Sequence, residues 1–148
     1  MEDTKATLNE TLVSLFKDIN NIEAKAVITD DFKDITNNDM HIIEAIGVGE
    51  SQNMSAVAKI MLVTVGTLTI AINNLVKKGY VSRVRSEKDR RVVLLKLTDK
   101  GRSAYNHHKK FHEDMIEAII SDLNSDEQQV LSKALTKLNQ FFKSRLVS

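Results

Sequence analysis

The sequence predicts a mainly α-helical protein of one domain with a single small β element. Its 148 residues include no proline and only five glycines, so the chain lacks the residues that usually punctuate β-rich folds. Apolar residues recur at helical spacings over most of the chain. Between residues 80 and 97 that spacing gives way to a strand-like pattern around a short polar turn.

The first predicted helix covers residues 5–28. Its apolar residues recur three or four positions apart, which gives the helix one continuous apolar stripe. The residues of the stripe are Leu8, Leu12, Leu15, Phe16, Ile19, Ile22 and Ala26. A stripe of this length needs another surface to cover it.

A second helix of about eleven residues is predicted after Thr36. Thr36 and Asp39 have the spacing of a capping box, and Gly47 stands where a glycine commonly ends a helix. The residues between them continue the apolar pattern.

Two further short helices are predicted to form a helix-turn-helix. Ser55 is the expected N-cap of the third helix, which runs to Met61, and Thr64 is the expected N-cap of the fourth, which runs to Gly79. Two short helices with a tight connection are typical of this motif.

A two-stranded β-hairpin, or wing, is predicted next. Residues 80–85 lead out and residues 91–97 lead back around the polar residues 86–90. The chain therefore has the order of a winged helix-turn-helix.

Two long helices complete the chain. Thr98 is the expected cap of the fifth, and Ser125 with Gln128 opens the sixth. Because the central region 36–101 is too small to cover the stripes of residues 1–35 and 102–148, we expect these outer segments to be dimerisation helices of a homodimer within one domain, 1–148. The alternative is that they pack on their own chain.

The charge is strongly uneven along the chain. Residues 77–110 hold twelve Lys/Arg against three Asp/Glu, a balance of +9, so the remainder carries −8 within a net charge of +1. A basic region of this kind is expected where one part of a protein approaches double-stranded DNA, although a solvated basic face is the alternative.

The fourth helix is predicted to present a short-chained face to the major groove. If Leu68, Ile72 and Leu75 point inward, the opposite side can hydrogen-bond base edges and meet a thymine methyl group. The predicted contacts there, with the two helix starts, are Ser55, Thr64, Gly66, Thr67, Thr69, Ile70, Asn73 and Lys77.

The wing is predicted to add minor-groove and phosphate contacts. Arg90 and Arg91 lie at the turn, where Asp89 can hold an arginine in position. Arg83, Arg85 and Lys88 are further candidates for phosphate contacts.

Residues 63–101 resemble the MarR family of winged-helix regulators. The resemblance is carried by VTVGTLTIAINNLVKKGYVSRVRSEKDRRVVLLKLTDKG, with its Thr-rich helix, Lys-Lys-Gly-Tyr, the Asp-Arg-Arg wing and Leu-Thr-x-x-Gly. Helix number and order agree over the whole chain. The resemblance implies a transcriptional regulator that binds a palindromic operator as a homodimer.

Four segments resemble the fatty-acid-synthesis repressors of that family: FKDI (32–35), MHIIEAIG (40–47), RVRSEKDRRVV (83–93) and HKKFHEDM (108–115). This resemblance implies repression of fatty-acid synthesis genes with long-chain acylated acyl carrier protein as corepressor. An apolar slot for the acyl chain would be lined by Phe16, Ile19, Phe32, Ile35, Ile43 and Met115. The alternative is that these residues are ordinary core residues. The acidic carrier protein would dock on Arg102, Lys109 and Lys110.

Four residues leave a zinc site open as an alternative, although no cofactor is favoured. His108 and His112 lie one helical turn apart, and His41 with Glu23 would complete a nitrogen and oxygen set suited to zinc. The placement is similar to that in the zinc-responsive repressor of metal uptake of the same family. The other interpretation is hydrogen-bonded or solvated histidines.

Other classes of function have little support in the sequence. The chain has no cysteine, Gly-rich phosphate loop or gathered nucleophile and base, so we do not expect an enzyme. It has no apolar run of about 18 residues and no signal-peptide pattern, so we expect a cytoplasmic protein without a membrane partner. A non-specific architectural DNA-binding protein remains an alternative.

Overall fold

The computed structural model describes residues 2–29 and 31–147, which form six helices and three strands. The helices are α1 (Glu2–Val27), α2 (Asn37–Ile46), α3 (Met54–Met61), α4 (Val65–Lys77), α5 (Asp99–Ser121) and α6 (Ser125–Val147). The strands are β1 (Gln52–Asn53), β2 (Val81–Arg85) and β3 (Val93–Leu97). The predicted fold class, a mainly α winged helix-turn-helix, is confirmed.

The chain divides into two compact units, residues 1–109 and residues 110–148. The first unit contains α1 to α4, the three strands and the start of α5. The buried apolar residues of the described chain lie between Val27 and Ala104, so the hydrophobic core belongs to this unit. In the second unit α6 leaves its large apolar side chains exposed.

Three predicted helix starts are present, at Thr36, at Thr64 and at Thr98, whose hydroxyl accepts from the backbone N–H of Gly101 at 3.1 Å. The hydroxyl of Thr36 accepts from the backbone N–H of Asp39 at 3.1 Å, while the Asp39 carboxylate accepts from the Thr36 N–H at 3.1 Å, which completes the capping box of α2. Thr64 caps α4 by accepting from the N–H of Thr67 at 3.1 Å. The α4 helix ends at Lys77, two residues earlier than predicted.

Two other predicted caps were wrong. Asn53, and not Ser55, caps α3, because its Oδ1 accepts from the backbone N–H of Ala56 at 2.7 Å. Asn124 forms the capping box of α6 with Glu127, through hydrogen bonds of 2.9 and 3.0 Å. Asparagine and serine are about equally good caps, so the pattern alone could not rank neighbouring candidates.

The sheet has three strands, where the sequence predicted two. Its order is β1-β3-β2, and both pairs are antiparallel. The two residues of β1, Gln52 and Asn53, pair with Leu95 and Leu94. A strand of two residues is too short to show an alternating pattern, which is why it was missed.

Tyr80 occupies the junction between α4, β2 and α5. Its ring is fully buried, its hydroxyl donates to Asp34 at 2.7 Å, and its carbonyl accepts from the Thr98 N–H at 3.0 Å. Burial, followed by the hydrogen bond with Asp34, raises the pKa of Tyr80 above its usual value, so the phenol stays a protonated donor.

No single helix of the described chain is long and apolar enough to cross a membrane. The α3 and α4 helices reach that length and composition only as a pair, with a bend of 105° between them.

Gly101 is predicted to be essential for the junction at Tyr80. A side chain on this buried residue of α5 would overlap the Tyr80 carbonyl oxygen, and its Cβ would also lie 3.2 Å from the Cβ of Leu97. Because a backbone oxygen held by a hydrogen bond cannot move aside cheaply, we expect G101A to lower the free energy of unfolding by about 3 kcal/mol.

Denaturant unfolding measures this loss, and G49A is the matched control. A Cβ on Gly49 would meet nothing within 4 Å, so G49A is expected to change the stability by less than about 0.5 kcal/mol. Equal stability of the two variants would contradict the close approach at Gly101.

Candidate nucleic-acid interface

The α4 helix has a buried face and an exposed face. Leu68, Ile72 and Leu75 are buried in the core, as the sequence predicted. The exposed residues on the other side include Gly66, Ile70, Asn73 and Lys77. Ile70 is 68% exposed, which is unusual for an isoleucine in the middle of a helix.

The threonines of α4 are fixed by local hydrogen bonds. The Thr64 hydroxyl donates to the Thr67 hydroxyl at 3.0 Å, and the Thr69 hydroxyl donates to the Val65 carbonyl at 2.7 Å. Thr69 therefore offers only its oxygen lone pairs to a partner, because its one donor is used within the helix. Such an oxygen suits the amino group of a base edge.

The wing tip is ordered by Asp89. Its two carboxylate oxygens accept from Nε and Nη2 of Arg91 at 3.0 and 3.1 Å, and Oδ1 also accepts from the Arg91 backbone N–H at 3.1 Å. These bonds lower the pKa of Asp89 and raise that of Arg91. Arg91 stays highly exposed, so its orientation is defined while its charge faces solvent.

The other basic residues of the wing differ in what holds them. The Arg85 Nη1 donates to the carbonyl of Arg90 at 2.8 Å, which joins the strand to the turn. The side chains of Lys88 and Arg90 are exposed. The Arg83 Nη1 donates to the side-chain oxygen of Asn73 on α4.

A groove of about 600 Å³ runs between the start of α3, α4 and the wing. Three arginines and two hydroxyl residues of the predicted interface line it, together with apolar residues. They are Arg83, Arg85, Arg91, Ser55 and Thr69. The structure thus brings residues from three separate segments to one positively charged surface, which is suited to a polyanion.

The predicted acyl-chain residues occupy different environments. Phe32, Ile35 and Ile43 are buried in the hydrophobic core of the first unit. Phe16 and Ile19 lie exposed on α1. Met115 is a half-buried residue of the second unit.

The predicted carrier-protein residues also differ in their surroundings. The Arg102 guanidinium forms an ion pair with Asp99 and donates to the Leu97 carbonyl at 3.3 Å, so it stabilises the start of α5. Lys109 is exposed at the end of the first unit. Lys110, in the second unit, pairs with Asp114 at 3.2 Å.

The histidine cluster includes one residue that the sequence did not indicate. Nε2 of the buried His108 lies 2.8 Å from Oε1 of Glu44 and 3.1 Å from Oε1 of Glu23. His41 is 3.6 Å from Glu23 and 3.7 Å from Glu44. The signal for Glu44 was its spacing of three residues from His41 on α2; His112 belongs to the second unit.

Comparison with known proteins agrees with this geometry. The family model of the transcriptional regulator SarA/Rot matches residues 24–108. AdcR of Streptococcus pneumoniae, a transcriptional regulator, is 32% identical over 107 residues, covering 70% of this chain and 73% of AdcR. SarZ of Staphylococcus saprophyticus, an HTH-type transcriptional regulator, is 35% identical over 107 residues, covering 69% of this chain and 70% of SarZ.

A solved structure matches over nearly the whole length. Streptococcus pneumoniae FabT, crystallised in complex with DNA, has a TM-score of 0.90 and 44% sequence identity, covering 95% of this chain and 98% of FabT. The resemblance seen in the wing and the fourth helix is thereby confirmed. The chain belongs to the SarA/Rot transcriptional regulators, which are MarR-like winged-helix proteins.

Proposed function

We propose that this regulator is a repressor that binds a palindromic DNA operator as a homodimer. The observation that carries the proposal is the exposed polar face of α4 beside a groove lined by Arg83, Arg85 and Arg91. A helix of this kind reads base edges while the arginines neutralise phosphates. FabT, which is 44% identical to this chain and was crystallised in complex with DNA, supports DNA binding.

Exposed apolar side chains support the homodimer. On α1, Leu15, Phe16 and Ile22 are each about half exposed, and α6 exposes Phe141 and Phe142 to a similar extent. An isolated chain rarely leaves so much apolar surface in water, and a second copy would cover it. The two α4 helices of such a dimer would enter successive major grooves about 34 to 36 Å apart.

The regulated genes are proposed to be those of fatty-acid synthesis. The four segments that resemble fatty-acid-synthesis repressors, together with 44% identity to FabT, support this choice. Long-chain acylated acyl carrier protein is the proposed corepressor. Of the three predicted docking residues, Lys109 is the best suited to an acidic partner, because Arg102 and Lys110 have intramolecular ion pairs.

Zinc is a second candidate effector. Glu23, Glu44 and His108 each bring a ligand atom within 4.8 Å of the others, and carboxylate oxygens with an imidazole nitrogen suit zinc. The same contacts also join α1, α2 and α5 without a metal. Metal binding would replace the hydrogen bonds of His108 and change how these helices are held.

Two substitutions test the two kinds of contact. N73A should reduce the preference between operator and mutated operator, because it removes an amide that faces base edges. R90A should weaken binding to every duplex. It should also make the negative slope of log K against log salt less steep by about 0.9, since one phosphate contact is lost.

Fluorescence anisotropy at several salt concentrations measures both effects, with K5A as control. Lys5 is an exposed lysine of α1, outside the basic segment 77–110, so K5A should leave the slope unchanged. An unchanged slope in R90A would remove the wing tip from the interface. A wild-type protein without sequence preference would indicate an architectural DNA-binding protein instead.

The corepressor is tested on a promoter fragment of the fatty-acid synthesis genes in the presence of chelator. Long-chain acylated carrier protein should tighten binding severalfold, while the unacylated form should not. K109E should reduce this effect, because the reversed charge repels the acidic partner. If the acylated protein has no effect and zinc in place of chelator changes the affinity, zinc is the effector.

A further inference from the structure

Arg83 and Asn73 join the wing to the exposed face of α4. Arg83 lies on β2, where its backbone is paired with Leu95 of β3, and its Nη1 donates a hydrogen bond to Oδ1 of Asn73. Asn73 lies one helical turn after Thr69, which lines the groove with Arg83. The two partners are ten residues apart, in elements of different type.

This hydrogen bond determines which way the Asn73 amide faces. A guanidinium group has five donors and no acceptor, so only the oxygen of an amide can face it. Rotating the amide by half a turn would place its NH₂ group against the donors of Arg83. The Nδ2 group of Asn73 is therefore directed away from Arg83, and neither of its protons is used in a hydrogen bond within residues 2–29 and 31–147.

We propose that Arg83 is a positioning residue for sequence recognition. It holds the Asn73 amide so that Nδ2 donates to an acceptor on a base edge in the major groove. The acceptors there are N7 and O6 of guanine, N7 of adenine and O4 of thymine, whereas cytosine presents an amino group. The inference rests on the proposed operator binding and names the base chemistry that Asn73 selects.

Arg85 is the matched control on the same strand. It lies two residues after Arg83, so both side chains are on the same face of β2. Its Nη1 donates to the Arg90 carbonyl within the wing. Loss of either arginine removes one positive charge, but only loss of Arg83 removes the hydrogen bond to Asn73.

The experiment first recovers preferred duplexes with the wild-type protein from a random-sequence library. Affinities are then measured on the recovered duplex and on versions with each base pair replaced. The proteins compared are wild type, N73A, N73D, R83M, R83K, R85M and the double variant N73A/R83M. N73A and R83M should each lose a preference of roughly tenfold, and both should lose it at the same base pair. In the double variant N73A/R83M the preference at that base pair should match that of N73A within about twofold, because both changes remove the same interaction.

Two further variants separate charge from position. R83K keeps the positive charge, but its ammonium ends one bond short of the Nη1 that reaches Asn73, so the salt dependence should persist while the preference is lost. N73D keeps the acceptor for Arg83 and removes the donor, so it should also lose the preference. R85M should weaken binding to all duplexes equally and keep the preference.

Two results would overturn the inference. If R83M weakens binding to all duplexes by the same factor and R83K restores the wild-type affinity, Arg83 is a phosphate contact only. If the wild-type protein recovers no preferred duplex, the proposed operator binding is itself wrong. Thermal unfolding of each variant is the control for folding, and we expect these exposed substitutions to leave the melting temperature nearly unchanged.

Discussion

The close packing around Tyr80 is the constraint on which the placement of α4 and the wing depends. Its backbone N–H donates to Leu75 at the end of α4, and its carbonyl accepts from Thr98 at the start of α5. The Lys100 ammonium lies 4.4 Å from the centre of its ring, and the Phe32 ring lies 6.3 Å away. One buried residue therefore links the end of α4 to the start of α5, next to the point where the wing begins.

The absence of a side chain at Gly101 is part of the same constraint. The helix α5 comes so close to the Tyr80 carbonyl that only glycine fits. Thr98 adds a second link, because its hydroxyl donates to the Gly79 carbonyl at 2.5 Å and accepts from the Gly101 N–H at 3.1 Å. Both ends of the wing join the core at this junction, so the position of the wing relative to the core is fixed there.

The two elements that meet at this junction, α4 and the wing, have different chemistry. The exposed face of α4 carries short, uncharged side chains up to Lys77, whereas the wing carries Arg83, Arg85, Arg90 and Arg91. Hydrogen bonds direct Arg83 toward α4 and Arg91 toward Asp89, so the arginines are not equivalent. In the proposed complex, direct recognition and charge neutralisation would therefore use neighbouring but distinct surfaces.

Much of the fold could be predicted because its signals are local. Helical periodicity and the capping box at Thr36 depend on residues close in sequence, and both were correct. The inward face of α4 followed from the same periodicity.

What the sequence could not predict depends on residues distant in the chain. The two-residue strand β1 exists only because β3 returns beside it, and the contact between Arg83 and Asn73 requires two elements to meet. The contact between Glu44 and His108 likewise requires α2 and α5 to meet.

Asn53 has two roles, and together they constrain how this regulator can respond to a signal. Its backbone belongs to β1, which pairs with β3 of the wing, and its side chain caps α3. The wing and the helix-turn-helix are therefore linked through this one residue, so a rotation of one relative to the other would break the pairing of β1 with β3 or the cap of α3. An effector that alters operator affinity in the proposed dimer would leave each winged helix-turn-helix intact. It would act by changing the separation and tilt of the two winged helix-turn-helix units.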